Sequence, residues 1–212
     1  MCNRIFIYSC RMMIITQIVN SVFTSNTYVI SDSNIKEVYW LIDVGDIDPI
    51  LESLPPRGVV QGVFLTHTHY DHLYGINQLV SHFPECIVYT SEYGKEGLFS
   101  DKLNFSRYHD DPILFSGSYI RVLKENDSIE LFSGIKLNVL ETPGHDRSCL
   151  TYYTEQIIFT GDSFIPGLKV VTSFPNSNKQ DSEVSVQKIL TVATGRDLYP
   201  GHGEVYRNFH YR

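Results

Sequence analysis

The chain has 212 residues, 42% of them hydrophobic and 13% aromatic, which is ordinary for one globular domain with a full core. The formal net charge of −7 comes without any cluster of Lys and Arg. Phosphate binding needs such cations, so nucleic acid is excluded as an expected substrate or partner, and a small molecule is expected instead. The cysteines Cys2, Cys10, Cys86 and Cys149 have neither metal-type nor redox-type spacing. A reducing, cytoplasmic setting is therefore expected, with Cys86 and Cys149 as buried thiols in apolar surroundings.

In chain order, residues 1–24 are fairly apolar, but Arg4, Arg11 and Gln17 interrupt the run and no small-residue cleavage site is evident. Neither a signal peptide nor a membrane anchor is expected. Met12-Met13-Ile14-Ile15 reads as the natural start of a first strand, which leaves residues 1–11 as an N-terminal extension and 12–212 as a single domain. Residues 14–19 and 27–30 read as a hairpin, and 38–42 as a buried strand that ends at Asp43-Val44-Gly45. Residues 49–54 form a short helix candidate ended by Pro55-Pro56. Leu73, Ile76, Leu79, Val80 and Phe83 recur at three- and four-residue steps, which predicts an amphipathic helix ending near Pro84. Ile87-Val88-Tyr89 is the next strand, and residues 94–99 and 103–111 read as short helix and loop, the expected wall of a substrate pocket. Strands resume at 119–122, 128–131, 136–140 and 150–153, and residues 183–192 form the closing helix.

Between the early strands and the first helix stands the most informative segment, His67-Thr68-His69-Tyr70-Asp71-His72, directly after the apolar run Gly62-Val63-Phe64-Leu65-Thr66. Side chains two apart on extended chain point the same way, so His67 and His69 can grip one ion as the chain leaves a sheet. Asp71 and His72 follow where the pattern turns helical and can face a second position nearby. Three later junctions place a ligand-type residue beside a glycine at the end of a β-rich run: Glu141-Thr142-Pro143-Gly144-His145, Gly161-Asp162, and Tyr199-Pro200-Gly201-His202-Gly203. Glycine allows a sharp turn and a close backbone approach to a ligand. Together the four segments supply seven ligand-type side chains, enough for two metal ions, and imidazole with carboxylate suits zinc, iron or manganese. Asp43, at a strand end, either accepts a hydrogen bond from a ligand histidine or is simply an acid in the strand-end turn, and the sequence favours neither.

This series of motifs, from about Ile14 to His202, resembles the metallo-β-lactamase-fold hydrolases. The resemblance implies an α+β fold, the four-layer αββα sandwich, with the site at one edge where the loops meet. It also implies that His67, His69 and His145 bind a first metal, that Asp71, His72 and His202 bind a second, and that Asp162 bridges the two. A hydroxide held between two divalent ions, zinc by preference and iron or manganese otherwise, would cleave a small thioester, ester or lactone, with Asp71 assigned to catalysis as well as to metal binding. The set has no cysteine and is similar to glyoxalase II and the lactonases rather than to the true β-lactamases. Ten residues follow His202, so the helical glutathione-binding domain of glyoxalase II is expected to be absent and lactoylglutathione is not the expected substrate. The alternatives are an oxidoreductase similar to the mononuclear-iron persulfide dioxygenases, and a phosphodiesterase.

Among the remaining residues, His82 reads as solvated helix surface and His210 as tail, while His109 lies in the loop expected to border the pocket. Asp146 either caps the turn before Ser148, the favoured reading, or bonds a ligand. Lys169 and Lys179 are candidates to greet an anionic substrate, and Tyr70 is the tyrosine nearest the motif.

Overall fold

The computed structural model describes residues 4–8 and 13–211. Among the described residues, twelve strands fall into two sheets. The first is built from β1 (Arg4–Tyr8), β2 (Met13–Val19), β3 (Asn26–Asp32), β4 (Ile35–Ile42), β5 (Val59–Phe64), β6 (Ile87–Thr90) and β7 (Ile120–Val122), adjacent in that order. The second runs β12 (Asp197–Pro200), β11 (Ile157–Gly161), β10 (Leu150–Tyr153), β9 (Ile135–Glu141) and β8 (Ser128–Phe132). Within the stretch read as an extension, Arg4–Tyr8 pairs antiparallel with β2 as an edge strand, while residues 1–3 and 9–11 lie outside the described residues.

Strand periodicity explains the layers. Along β3 and β4, Tyr28, Ile30, Trp40 and Ile42 face one way, toward Leu137, Val139, Tyr152, Phe159 and Tyr199 of the second sheet. The alternate residues Val29 and Leu41, with Val63, Leu65 and Val88, face outward onto three helices. These are α1 (Ile47–Ser53), α2 (Ile76–His82) and α3 (Glu92–Leu98), which bury Ile50, Ile76, Leu79, Val80 and Leu98 against that face. The outer face of the second sheet, Ile158 and Leu198, is covered by Ile189 and Ala193 of α4 (Lys179–Ala193). The result is the four-layer αββα sandwich. No helix among the described residues is long and apolar enough to cross a membrane.

Local chemistry sets the helix starts. Asn178 caps α4 by accepting from the Gln180 and Asp181 amides, and Ser91 caps α3 by accepting from the Gly94 amide. Two helix starts differ from the sequence expectation: the closing helix begins at Lys179 rather than residue 183, and the helix assigned from Leu73 begins only at Ile76. Residues Tyr70–His72 form a 3-10 turn, and the Gly75 amide then donates to Val44 O at 3.2 Å. A Cβ at Gly75 would meet Gly45 O at 2.1 Å, so the close approach of these loops requires glycine. Leu73 keeps its place in the apolar stripe because the 3-10 turn carries it onto the same face.

Topology brings the motif segments together. β9 and β11 are both antiparallel to β10, and β12 is parallel to β11, so all three end at one edge of the second sheet. β4 and β5 run parallel and end side by side in the first sheet, where the Asp43 amide donates to Phe64 O. The Leu150 amide bonds Thr66 O at 2.7 Å and ties the two sheets across that edge.

Candidate metal centre

The chain beyond β5 carries His67 and His69, the loop after β9 carries His145, and Asp162 and His202 follow β11 and β12 directly. Their donor atoms gather in three sets, each within 4.8 Å: His67 with His69 and His145, His67 with His72 and Asp162, and Asp71 with His72 and His202. All seven residues singled out in the sequence are therefore brought to one place. His145 Nε2 lies 3.0 Å from His69 Nδ1, and His72 Nε2 lies 3.3 Å from His202 Nε2. Asp71 Oδ2 stands 3.3 Å from both His72 Nε2 and His202 Nε2. Asp162 sits between the groups, with Oδ1 3.5 Å from His72 and Oδ2 3.4 and 3.6 Å from His202 and His145.

Four of these imidazoles hydrogen-bond an outer partner through the outward nitrogen, while His69 Nε2 stands near a carboxylate without a hydrogen bond among the described residues. For His72 it is Asp43 Oδ2 at 2.8 Å, for His145 Val171 O at 2.9 Å, and for His202 Phe23 O at 3.1 Å. His67 Nδ1 is 3.1 Å from Thr66 Oγ1, and His69 Nε2 is 3.3 Å from Asp146 Oδ2. An N–H directed outward leaves a lone pair directed inward on each ring, which is how outer partners fix a ligand histidine's tautomer. Asp43 is the hub: its Oδ1 accepts from the Thr66 amide and its Oδ2 from both the Thr66 hydroxyl and His72.

These residues suit a metal on physical grounds independent of their motif. His67 Nε2 and Asp162 Oδ1 are buried and make no hydrogen bond within the described residues. Orphaned lone pairs of this kind are costly unless a cation or donor meets them. The electrostatics agree. Burial and the neighbouring imidazoles push the His67 pKa well below its ordinary value. Burial acts the same way on His72 and His202, yet carboxylates win at both: Asp71, Asp162 and Asp43 raise His72 well above its ordinary value, and Asp162 and Asp71 raise His202 to about 9. In return, and against the effect of burial, charge on His72 and His202 holds Asp71 far below the usual carboxylate range and Asp162 at about 2. The two acids demand positive charge beside them, and divalent cations supply it while taking the inward imidazole lone pairs in place of protons.

A family model, the metallo-beta-lactamase superfamily, matches residues 25–205. The chain belongs to this superfamily. It is 29% identical over 202 residues to a probable metallo-hydrolase of Streptococcus pyogenes serotype M6, covering 91% of this chain and 84% of that protein. It is also 30% identical over 142 residues to the hydroxyacylglutathione hydrolase of Psychromonas ingrahamii, covering 66% of this chain and 47% of the relative. The chain thus spans about half the length of the hydroxyacylglutathione hydrolases it matches. Among solved structures, the BLEG-1 B3 metallo-beta-lactamase overlays with a TM-score of 0.81 at 23% identity, over 91% of this chain and 93% of that one, a likeness of fold. The superfamily and sandwich expected from the motifs are those found.

Above the donors lies an open cleft of about 480 Å³, with Asp71, Asp162, His69, His145 and His202 at its floor. Phe105, Tyr108 and His109 from the loop after α3 line it, and the His109 ring stacks on Tyr70 with centroids 3.7 Å apart. His82 is exposed on α2 and His210 is exposed near the end of the described chain. The expectation for lysine is corrected: neither Lys169 nor Lys179 lines the cleft, and Lys179 pairs with Glu183 at 4.0 Å on α4. The bond from His145 to Val171 O is the reason, because it pins the loop so that Val171, Phe174 and Pro175 face the site. Asp146 serves both alternatives, with Oδ1 accepting from the Ser148 amide and hydroxyl while Oδ2 faces His69. Cys86 and Cys149 are free and buried, and burial raises their thiols well above the ordinary value. Sequence reasoning passed over Thr66 as part of the Asp43 hub, although its place directly before His67 was a usable signal. Phe23 and Phe174, from unrelated loops, gave none.

Proposed function

We propose that the protein is a two-metal hydrolase acting on a small thioester, ester or lactone. His67, His69 and His145 hold the first ion, Asp71, His72 and His202 the second, and Asp162 both. The observation that carries this reading is the double anchoring: inward nitrogens and carboxylates converge within 4.8 Å in three sets, while four of the five imidazoles hydrogen-bond a partner on the outside and the fifth, His69, lies 3.3 Å from Asp146. Zinc, iron or manganese would supply a water of lowered pKa and polarise the substrate carbonyl. The chain's own residues set the conditions. Asp43 orients His72 by a hydrogen bond, Asp146 stands 3.3 Å from His69, and Asp71 and Asp162, half-buried at the cleft floor, keep their negative charge where substrate enters. Relatives named for hydroxyacylglutathione hydrolysis and a probable metallo-hydrolase support a hydrolase, and the absence of any cysteine from the donor sets favours the glyoxalase II-like branch. A cytoplasmic setting is proposed with it, consistent with the free thiols of Cys86 and Cys149.

A single-iron oxygenase is the second reading, since His67, His72 and Asp162 alone form a two-histidine, one-carboxylate set. Elemental analysis and oxygen uptake separate the two. Two ions per chain, metal-dependent hydrolysis of model thioesters or lactones, and loss of both in His69→Ala and Asp162→Ala are expected. Unchanged hydrolysis in these variants, or one iron with oxygen consumption, overturns the hydrolase.

A further inference from the structure

The cleft wall is the feature whose chemistry the hydrolase reading leaves unused. Beyond the donors at its floor, its side chains are almost all apolar or aromatic, and it has no Lys, Arg or Glu. Three unconnected loops build it: Phe23 from the β2–β3 turn, Phe105 and Tyr108 from the segment after α3, and Val171 and Phe174 from the segment after β11. Phe105 and Phe174 pack at 5.4 Å and meet the His69 ring at 4.9 and 5.2 Å, so the apolar surface reaches the first group of donors.

Holding these side chains there is unfavourable for the empty protein. Phe23, Tyr108 and Phe174 are 67%, 76% and 41% exposed, which leaves aromatic surface in water beside the cleft. Phe23 has φ +50° and Phe105 φ +61°, the left-handed region that bulky residues rarely adopt. Exposed rings, Phe23 among them on left-handed backbone, converge on one cleft from distant parts of the chain and are accounted for by a ligand that covers them.

We propose that the substrate's acyl part is an uncharged apolar group, an aliphatic chain or aromatic ring, seated against Phe23, Phe105, Tyr108 and Phe174, with its carbonyl at the histidine and aspartate floor. The wall contains no Lys or Arg to pair with an acidic acyl group such as a dicarboxylic half-thioester, and a carboxylate placed against its aromatic rings would be stripped of water without a partner. This inference rests on the hydrolase reading for the reaction, but not for the binding.

The test uses the zinc-loaded full chain with N-acetylcysteamine thioesters from acetyl to decanoyl, and calorimetry with the free straight-chain acids of the same lengths. Specificity (kcat/KM) is expected to rise about fourfold per added methylene until the cleft is filled, and the acids to bind tighter in parallel. A chain ending in a carboxylate is expected to react at least about thirtyfold more slowly than its methyl-ended match. Phe174→Ser should flatten the dependence on chain length, whereas Val184→Ser, which removes an exposed side chain on α4, should leave it as it is. Turnover with no dependence on chain length in either rate or affinity overturns the apolar pocket and leaves the hydrolase standing. Tighter binding of longer acids without any turnover supports the pocket and overturns the thioester form of the hydrolase reading.

Discussion

Replacing Asp43 by Asn tests whether the hydrogen-bond hub beneath the site is what orients His72. The substitution is conservative in shape and in backbone: Asp43 has φ +56°, which Asn tolerates better than most residues. What changes is acceptor capacity. The carboxylate takes the Thr66 amide at 2.7 Å on Oδ1, and on Oδ2 the Thr66 hydroxyl at 2.7 Å and His72 Nδ1 at 2.8 Å. An amide has one oxygen. Keeping that oxygen toward His72 turns the NH2 onto the Thr66 amide, donor against donor, in a residue only 1% exposed. Turning it the other way strands the His72 proton instead. An unmet buried donor costs about 1–3 kcal/mol, which for a domain of this size lowers Tm by about 2–12 °C. Loss of an outer partner to a ligand histidine weakens metal binding about 10- to 100-fold. The assays are thermal unfolding of metal-free protein and zinc affinity by competition with a chelator. An Asp43→Asn protein that melts with the wild type and binds zinc within about twofold of it would refute the assigned role of the hub.

Two further outcomes follow from the same geometry. Gly201→Ala places a methyl group 2.1 Å from Asp162 Oδ1 and 3.0 Å from His72 Cε1, so it is expected to displace Asp162, to cost about 1–3 kcal/mol, and to bring the metal content below two ions per chain. Elemental analysis and a melt check this, and full occupancy with wild-type stability would exclude a bridging place for Asp162. Metal binding is also expected to release protons at pH 7.5, because His202 at about 9 and His72, also raised well above its ordinary value, must give up protons to coordinate. For raised pKa values the stabilisation is complete below the ordinary histidine value of about 6.5 and disappears as pH climbs through about 9. The metal-free protein should therefore melt lower at pH 9.5 than at pH 7, and calorimetry in two buffers of different ionisation enthalpy should count at least one proton released per chain. No release would mean the two imidazoles are already neutral.

How much of this was legible in the sequence depended on the range of the interaction. The donors could be read because each is tied to a local pattern: His67 and His69 share a face on extended chain, His69 itself having φ −70° and ψ 148°, and His145, Asp162 and His202 each follow a glycine at a strand end. Gly161 illustrates the local signal, since φ +50° there, and a Cβ that would meet Thr66 at 2.6 Å, leave glycine as the residue that fits. The layers were equally local, because Val29 and Leu41 alternate with Tyr28, Ile30, Trp40 and Ile42. Leu73 misled because a 3-10 turn followed by a helix produces the same apolar recurrence as one longer helix. The cleft wall lay beyond reach for a different reason. Phe23, Phe105 and Phe174 belong to loops with no periodicity, and only the packing of the two sheets makes them neighbours. Lys169 looked equally well placed along the chain until the His145 bond to Val171 O settled which residues of that loop turn inward. The metal donors are thus set by strand ends that any member of the fold must form, while the side chains that choose a substrate hang from the loops between them. The first can be read residue by residue, and the second had to wait for the topology.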